Sequence, residues 1–208
     1  MIAGPTGLLE LALDPVQAPQ TSPRALALVA HPHPLHGGTM DNKVTTTLSR
    51  ACASAGCAVV RFNYRGVGRS EGVFDHARGE VDDAQAALAW LQSQFDPKLP
   101  LILCGFSFGT AVAAQLAQRL QKSNKVQLLG MVLAGAAVQR FASDIVVDPD
   151  TTLMIHGELD DTVPLTETLA WAASLSLPIS VIPRADHFFN RQLIPLRRLA
   201  LRHVNGLF

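Results

Sequence analysis

A serine hydroxyl attacks a carbonyl near neutral pH only when a base takes its proton and a third group holds that base in position. Two stretches of the 208-residue chain match the pattern G-x-S-x-G, which can present such a serine: Gly105-Phe106-Ser107-Phe108-Gly109 and Gly68-Arg69-Ser70-Glu71-Gly72. The pattern works only where a strand enters directly and a helix leaves directly, so that a strained turn pushes the hydroxyl out above the sheet. The apolar run 101–104 enters Ser107, and the Ala- and Leu-rich segment 108–121 leaves it. At Ser70, residues 64–67 intervene before the motif and residues 72–77 after it. Ser107 is therefore the candidate nucleophile, and Ser70 a serine at an ordinary turn. Gly66-Val67-Gly68 does not make a dinucleotide site: the third glycine, Gly72, comes one place late, and no acidic residue ends the following strand.

On a strand–turn–helix serine of this kind the partners follow in the order serine, acid, histidine. Three histidines lie beyond Ser107. His156 ends a strand-like run, just before the place where the acid is expected, and His203 falls in the last helix, where a solvated role is the ordinary one. His187 opens the loop between the last strand and the last helix, from which a ring can lean over the sheet, so it is the candidate base. The acid should lie in the loop after the run 152–156, where Glu158, Asp160 and Asp161 compete. Spacing alone does not separate Asp160 from Asp161. Asp186 is adjacent to His187, and neighbouring side chains rarely face each other.

Attack on a carbonyl makes an oxyanion that needs preformed N–H donors, each worth about 10²–10³ in rate. One is expected from Phe108, the residue after the serine. The other should come from the loop His31-Pro32-His33-Pro34-Leu35-His36-Gly37-Gly38. Pro32 and Pro34 have no N–H, which leaves His33 first and Leu35 second. Leu35 and Phe188 are expected to line the substrate. His31, His33 and His36 also invite a metal-dependent hydrolase as an alternative, although only Asp41 lies near to complete a ligand set.

The elements that must position these groups alternate. Strand-like runs cover 7–13, 25–31, 57–63, 101–105, 128–134, 152–156 and 179–182. Several are continuously apolar, as in strands buried on both faces. Helical segments lie between them at 43–55, 78–95, 108–121, 165–174 and 191–203, with Val81, Ala84, Leu88 and Leu91 at helical spacing in the second. Strand–helix alternation predicts one α/β domain over residues 1–208, a doubly wound, mostly parallel sheet with helices on both faces. A chain with 48% hydrophobic and 16% charged residues can bury such a core. With 17 basic and 17 acidic residues and no basic stripe, nucleic acid is a poor partner. The apolar runs are too short to span a bilayer, and the first residues lack the pattern of a signal peptide. Three unspaced cysteines, Cys52, Cys57 and Cys104, fit buried thiols in a reducing, cytoplasmic compartment.

The serine turn 105–109, the segment His156-Gly157-Glu158-Leu159-Asp160-Asp161-Thr162-Val163-Pro164 and the segment Ala185-Asp186-His187-Phe188-Phe189 together resemble the α/β-hydrolase superfamily. The stretches 31–44 (HPHPLHGGTMDNKV) and 61–72 (RFNYRGVGRSEG) resemble a narrower group, the small, lidless bacterial serine hydrolases described as esterases, with dienelactone hydrolases as more distant relatives. The resemblance runs from about Leu26 to the end of the chain. Its G-x-x-D-x-x-V-P pattern selects Asp160 over Asp161 and supports His187 and the oxyanion role of His33. Arg65, Gly66, Gly68 and Ser70 match that family's structural turn. Many relatives carry Asp where this chain has Asn63, so Asn63 receives no role. Only residues 135–151 separate two strands between which many lipases insert a cap, so no cap domain is expected. The resemblance implies hydrolysis of carboxylic esters of small acyl groups through an acyl-enzyme, with no cofactor. A non-catalytic binding protein on the same fold is the alternative of another class.

Overall fold

Ala25–Ala30 carries no polar side chain, and all six of its residues are fully buried. Such a segment cannot lie at an edge or face water, so it must be a central strand covered on both sides. A computed structural model places it so, and describes residues 1–17, 21–123, 126–141 and 144–208. Within the Pro-rich segment 15–23, residues 18–20 lie outside the described residues.

In chain order the elements are β1 (Ile2–Gly4), β2 (Gly7–Leu9), β3 (Leu11–Asp14), β4 (Ala25–Ala30), α1 (Lys43–Ser54), β5 (Cys57–Phe62), α2 (Arg78–Gln94), β6 (Leu101–Phe106), α3 (Phe108–Ser123), β7 (Leu128–Ala134), α4 (Val138–Phe141), β8 (Thr152–Gly157), α5 (Leu165–Ser174), β9 (Ile179–Ile182) and α6 (Leu193–Gly206). The main sheet has the order β3-β5-β4-β6-β7-β8-β9, and every pair is parallel except β3 with β5. Alternate residues of β4 serve the two faces. Ala25, Ala27 and Val29 join α1 and α6 in one apolar cluster, whereas Leu26, Leu28 and Ala30 join α2, α3 and α5 in the other. The predicted stripe Val81, Ala84, Leu88 and Leu91 is the buried face of α2. Each large side chain so buried contributes about 1.5–3 kcal/mol. The strand order reverses between β4 and β6, and ligands of open α/β sheets bind beyond the carboxyl ends of the strands at such a reversal. Those two ends lead into His31–Gly38 and Ser107.

Three differences from the sequence reading have physical causes. The single strand expected over 7–13 is broken at Glu10, so that β2 pairs with β1 in a small antiparallel hairpin and β3 joins the main sheet. Glu10 is drawn toward the loop after β5: its carboxylate accepts from Asn63 Nδ2 and from the N–H of Arg69, both at 2.8 Å, and its own N–H donates to Ser70 Oγ at 2.9 Å. The last helix begins at Leu193 rather than Arg191, because Phe189 and Arg191 have positive φ. The short helix α4 and a 3₁₀ turn at Pro34–His36 were not anticipated, since three or four residues carry no readable period. Between β7 and β8 the described residues hold only α4, so there is no cap domain. No helix among the described residues is long and apolar enough to cross a membrane.

The loop after β5 is held by a buried ion pair. Arg65 donates to Asp83 through Nε at 3.0 Å, through Nη2 at 2.9 Å and through its backbone N–H at 2.9 Å, and Nη2 also reaches Gly79 O at 2.7 Å. Ser70 Oγ donates to Asn63 O at 2.8 Å, so the second G-x-S-x-G serine is a turn brace. Truncating Asp83 to Ala would leave the guanidinium buried without its partner, and we expect a loss of about 3–5 kcal/mol in unfolding free energy by urea denaturation. A loss under about 1 kcal/mol, the worth of an exposed pair, would show that this ion pair is not what holds the loop.

Candidate active site

Ser107 ends β6 with φ of 53°, a left-handed conformation that a non-glycine residue adopts only when its surroundings enforce it. Its N–H donates to Ala134 O at 2.9 Å, and its C=O accepts from Thr110 N–H at 2.9 Å and Thr110 Oγ1 at 2.6 Å. The flanking glycines are demanded by close approach of backbone to backbone. A Cβ on Gly105 would overlap the carbonyl of Gly109, and one on Gly109 would overlap the carbonyl of Ala30. The turn thus locks β4, β6 and α3 together and leaves Ser107 8% exposed.

His187 lies in the loop between β9 and α6. Its Nε2 is 2.9 Å from Ser107 Oγ and its Nδ1 is 2.7 Å from Asp160 Oδ2. An ionised carboxylate only accepts, so Nδ1 carries the proton and Nε2 is free to accept one from the serine. The ring packs on Phe106 and Phe188, with centroids 5.0 and 5.2 Å away, and a side chain at Gly135 would crowd it. The last two strands bring the ring to this point. Leu159 N–H donates to Ala185 O at 2.9 Å, and the bare Gly157 lets the backbone of residues 185–186 come close.

Asp160 is buried and its Oδ1 accepts from the N–H groups of Thr162 at 3.0 Å and Val163 at 2.8 Å, which turns Oδ2 toward His187. The other carboxylates of the region are occupied elsewhere. Asp161 is exposed, Glu158 accepts from Arg184 N–H at 2.8 Å, and Asp186 accepts from Asn190. The geometry therefore joins Asp160, and not Asp161, to the histidine that sequence spacing picked out.

The two expected oxyanion donors at the reversal point, both backbone N–H groups, have no acceptor among the described residues. One is Phe108, the first residue of α3, whose N–H is an orphan of the helix start. The other is His33. Leu35, the second candidate, has its N–H bonded to His33 Nδ1 at 3.2 Å, and the C=O of His33 accepts from His36 and Gly38, both at 3.1 Å. The loop is thereby wound so that the Leu35 N–H is occupied while the His33 N–H stays open. Burial, then the neighbouring His36 and His76, hold the His33 imidazole below its ordinary range, which keeps Nδ1 available as that acceptor.

Around this turn lies an aromatic cluster that sequence reasoning missed. The His33 ring contacts Phe74, Phe108, His36 and Phe141 at centroid distances of 4.9, 5.0, 4.8 and 5.7 Å. Phe74 sits in an irregular segment and Phe141 ends the four-residue helix α4, both too short of period to show their direction; the only signal was the presence of large aromatics beyond the carboxyl ends of strands. Phe188 reaches the site through His187, whereas Leu35 projects from the 3₁₀ turn and is 68% exposed.

The three histidines of this loop do not converge. His31 is buried with both ring nitrogens used: Nδ1 donates to Pro32 O at 2.7 Å and Nε2 accepts from Tyr64 N–H at 3.2 Å. Tyr64 Oη returns a bond to His31 O at 3.1 Å. Among the described residues no group of three or more His, Cys, Asp or Glu side chains is arranged to hold a metal ion.

Comparison with known proteins shows which family the chain is similar to. The family described as serine aminopeptidase, S33, matches residues 22–155, a segment that holds Ser107 and stops before Asp160 and His187. A protein of Rickettsia prowazekii, described as uncharacterized, is 37% identical over 180 residues, 83% of this chain and 75% of that one. A crystal structure from Xanthomonas campestris, described as an α/β serine hydrolase without lid, superposes with a TM-score of 0.89 at 34% identity and covers 98% of this chain and 91% of that one. A monoacylglycerol lipase of Mycolicibacterium smegmatis is 26% identical over 184 residues, 86% of this chain and 61% of the lipase.

The buried His31 makes the fold acid-sensitive. Burial pushes its pKa from 6.5 down to about 3, against the hydrogen bond to Pro32, which raises it. The unfolded chain takes up a proton near pH 6.5 that the folded chain refuses until about pH 3. The stability this ring confers is therefore full above pH 6.5 and drains as pH falls toward 3. Urea unfolding at pH 7.0 and 4.5 should show a loss on the order of 3 kcal/mol, and His31→Gln should flatten that part of the slope. An equal slope in both proteins would rule His31 out as the titrating group.

Proposed function

The chain belongs to the serine hydrolases of the α/β-hydrolase fold, and on that premise we propose that it cleaves carboxylic esters of small acyl groups through an acyl-enzyme on Ser107. The observation that carries this reading is the unbroken hydrogen-bonded line from Asp160 through His187 to Ser107, ending beside two N–H groups without acceptors. In the proposed reaction Ser107 Oγ bonds to the acyl carbon while His187 Nε2 takes its proton. The carbonyl oxygen becomes an oxyanion held by the N–H groups of Phe108 and His33. The intermediate then collapses, the C–O bond to the leaving group breaks, and His187 returns the proton to the departing alcohol. Water repeats the sequence on the acyl-enzyme and releases the acid. Asp160 stays ionised throughout, holding the Nδ1–H tautomer and stabilising the imidazolium.

The surroundings support an ester over a peptide. Removing residues from a free amino terminus calls for a carboxylate to hold the substrate's ammonium, and the ring cluster beside His33 and Phe108 is made of phenyl and imidazole groups. The lipase relative is named for hydrolysing an ester, in keeping with this choice. A site without a cap supports action on small dissolved esters.

The test is turnover of p-nitrophenyl esters from acetate to decanoate, with fluorophosphonate labelling of Ser107 alongside. Ser107→Ala should abolish labelling and lower kcat by about 10⁶-fold. Asp160→Asn should lower kcat by about 10⁴-fold, and Asp161→Asn should leave it unchanged. EDTA should have no effect. Sensitivity to EDTA would favour the metal-dependent reading on His31, His33 and His36. Absence of both turnover and labelling would favour a binding protein, whereas labelling without turnover would refute only the substrate class.

A further inference from the structure

His156 stands at the end of β8, fully buried, and takes no part in the relay proposed above. Its Nε2 lies 2.9 Å from Val163 O and 3.4 Å from Asp160 Oδ2. Its Nδ1 is buried with no hydrogen-bond partner. A carbonyl oxygen only accepts, so Nε2 carries the proton and Nδ1 is a bare lone pair in the core. A buried acceptor left unmet costs stability that an apolar side chain of the same size would not. The useful feature of this ring is therefore its Nε2–H and the direction in which that group points.

We propose that His156 is a positioning residue for the hydrolytic reaction: its Nε2–H, anchored on the Val163 carbonyl, lies 3.4 Å from Asp160 Oδ2, the oxygen that holds His187, and as a fixed dipole beside the carboxylate it steadies that group and moderates its pull on the His187 proton. The inference rests on the reading of Ser107, His187 and Asp160 given above.

The geometry makes Val163 the hinge of this arrangement. Its N–H donates to Asp160 Oδ1 at 2.8 Å and its C=O accepts from His156, so one peptide segment sets both the carboxylate and the second imidazole. At 3.4 Å from Oδ2 the Nε2–H makes no second hydrogen bond; it acts as a dipole beside the carboxylate and does not compete with the 2.7 Å bond to His187. The arrangement works only while His156 is neutral. A cation there would pair with Asp160 and cancel the field that stabilises the His187 imidazolium. Burial holds the His156 pKa down, aided by the nearby His187, while the bond to Val163, Asp160 and Glu167 of α5 act in the opposite sense. Glu167 is itself paired with Arg140 of α4 at 2.7 Å, which tempers its influence.

The sign of the effect follows. An N–H dipole beside Oδ2 offsets part of the carboxylate charge and makes His187 less basic. Without that dipole Asp160 holds the His187 proton more firmly, and the acid limb of kcat/KM moves to higher pH. The experiment compares wild type with His156→Met, which fills the space without a donor, and His156→Gln, whose amide Nε2–H reaches the same place. It reads p-nitrophenyl acetate turnover against pH, together with ¹⁵N-imidazole NMR titration. His156→Met should raise the limb and the His187 midpoint by about 0.5–1 pH unit, a roughly three- to tenfold loss of free base below the limb, while His156→Gln stays near wild type. Superimposed profiles for all three proteins would overturn the proposal, as would an equal displacement in His156→Gln and His156→Met. The wild type gives a test that needs no variant to fold: His156 should be neutral with its proton on Nε2 at pH 7, and a proton on Nδ1 overturns the proposal. A wild type that is active and labelled by fluorophosphonate while failing these tests sinks only the role of His156; one that is neither active nor labelled sinks the hydrolase reading beneath it.

Discussion

Ser107 occupies a backbone conformation that costs an L-residue on the order of 1–3 kcal/mol, and the architecture around β6 enforces it. The chain must leave a buried strand, reverse direction and enter a helix within one residue. Backbone must then touch backbone where Gly105 meets Gly109 and Gly109 meets Ala30, and no side chain fits at either glycine. The turn is tied sideways to β7 through Ala134 O and forward to α3 through Thr110. Strain at a surface loop would relax; here, relaxation would pull apart three fully buried strand and helix ends. The apolar burial of β4, β6 and α3 thus offsets the strain that lifts one hydroxyl above the sheet.

A second constraint is the accounting of polar groups around that hydroxyl. Around the site several polar groups that could compete are already matched to partners. Leu35 N–H is consumed by His33 Nδ1, both nitrogens of His31 are consumed by Pro32 and Tyr64, and the Asp160 carboxylate is consumed by Thr162, Val163 and His187. Left without an acceptor are the N–H groups of His33 and Phe108, beside the His187 Nε2 that faces Ser107. Buried histidines appear in this scheme as neutral wedges with one tautomer each. Low polarity keeps charge off His31 and His156, so the imidazole that can gain a proton against a carboxylate is the one that faces the serine.

Much of this was legible in the chain. Continuous apolar runs at 25–30, 101–104 and 128–134 can only be strands covered on both faces, and the stripe from Val81 to Leu91 can only be one side of a helix. The serine turn was distinguishable from its decoy because a strand enters Gly105 and none enters Gly68 directly, a difference local in sequence. Tertiary contacts set what local patterns could not. Glu10 breaks a strand to serve the loop at Asn63, Arg69 and Ser70, which lie 53 to 60 residues further along the chain. Phe74 and Phe141 come to the same turn from segments with no period.

The sequence by itself determined the fold class, the presented serine and the histidine that could reach it. Each depends on patterns that span a few residues and on the fixed geometry of strand and helix. Spacing left Asp160 and Asp161 open and the family resemblance selected Asp160; only the tertiary structure decided what turns that carboxylate toward His187, what occupies the Leu35 N–H, and that His156 comes within 3.4 Å of the oxygen that holds His187. Those outcomes depend on which donors meet which acceptors across elements remote in sequence. Adjacent residues of like chemistry become distinct only when one of them is buried against a partner.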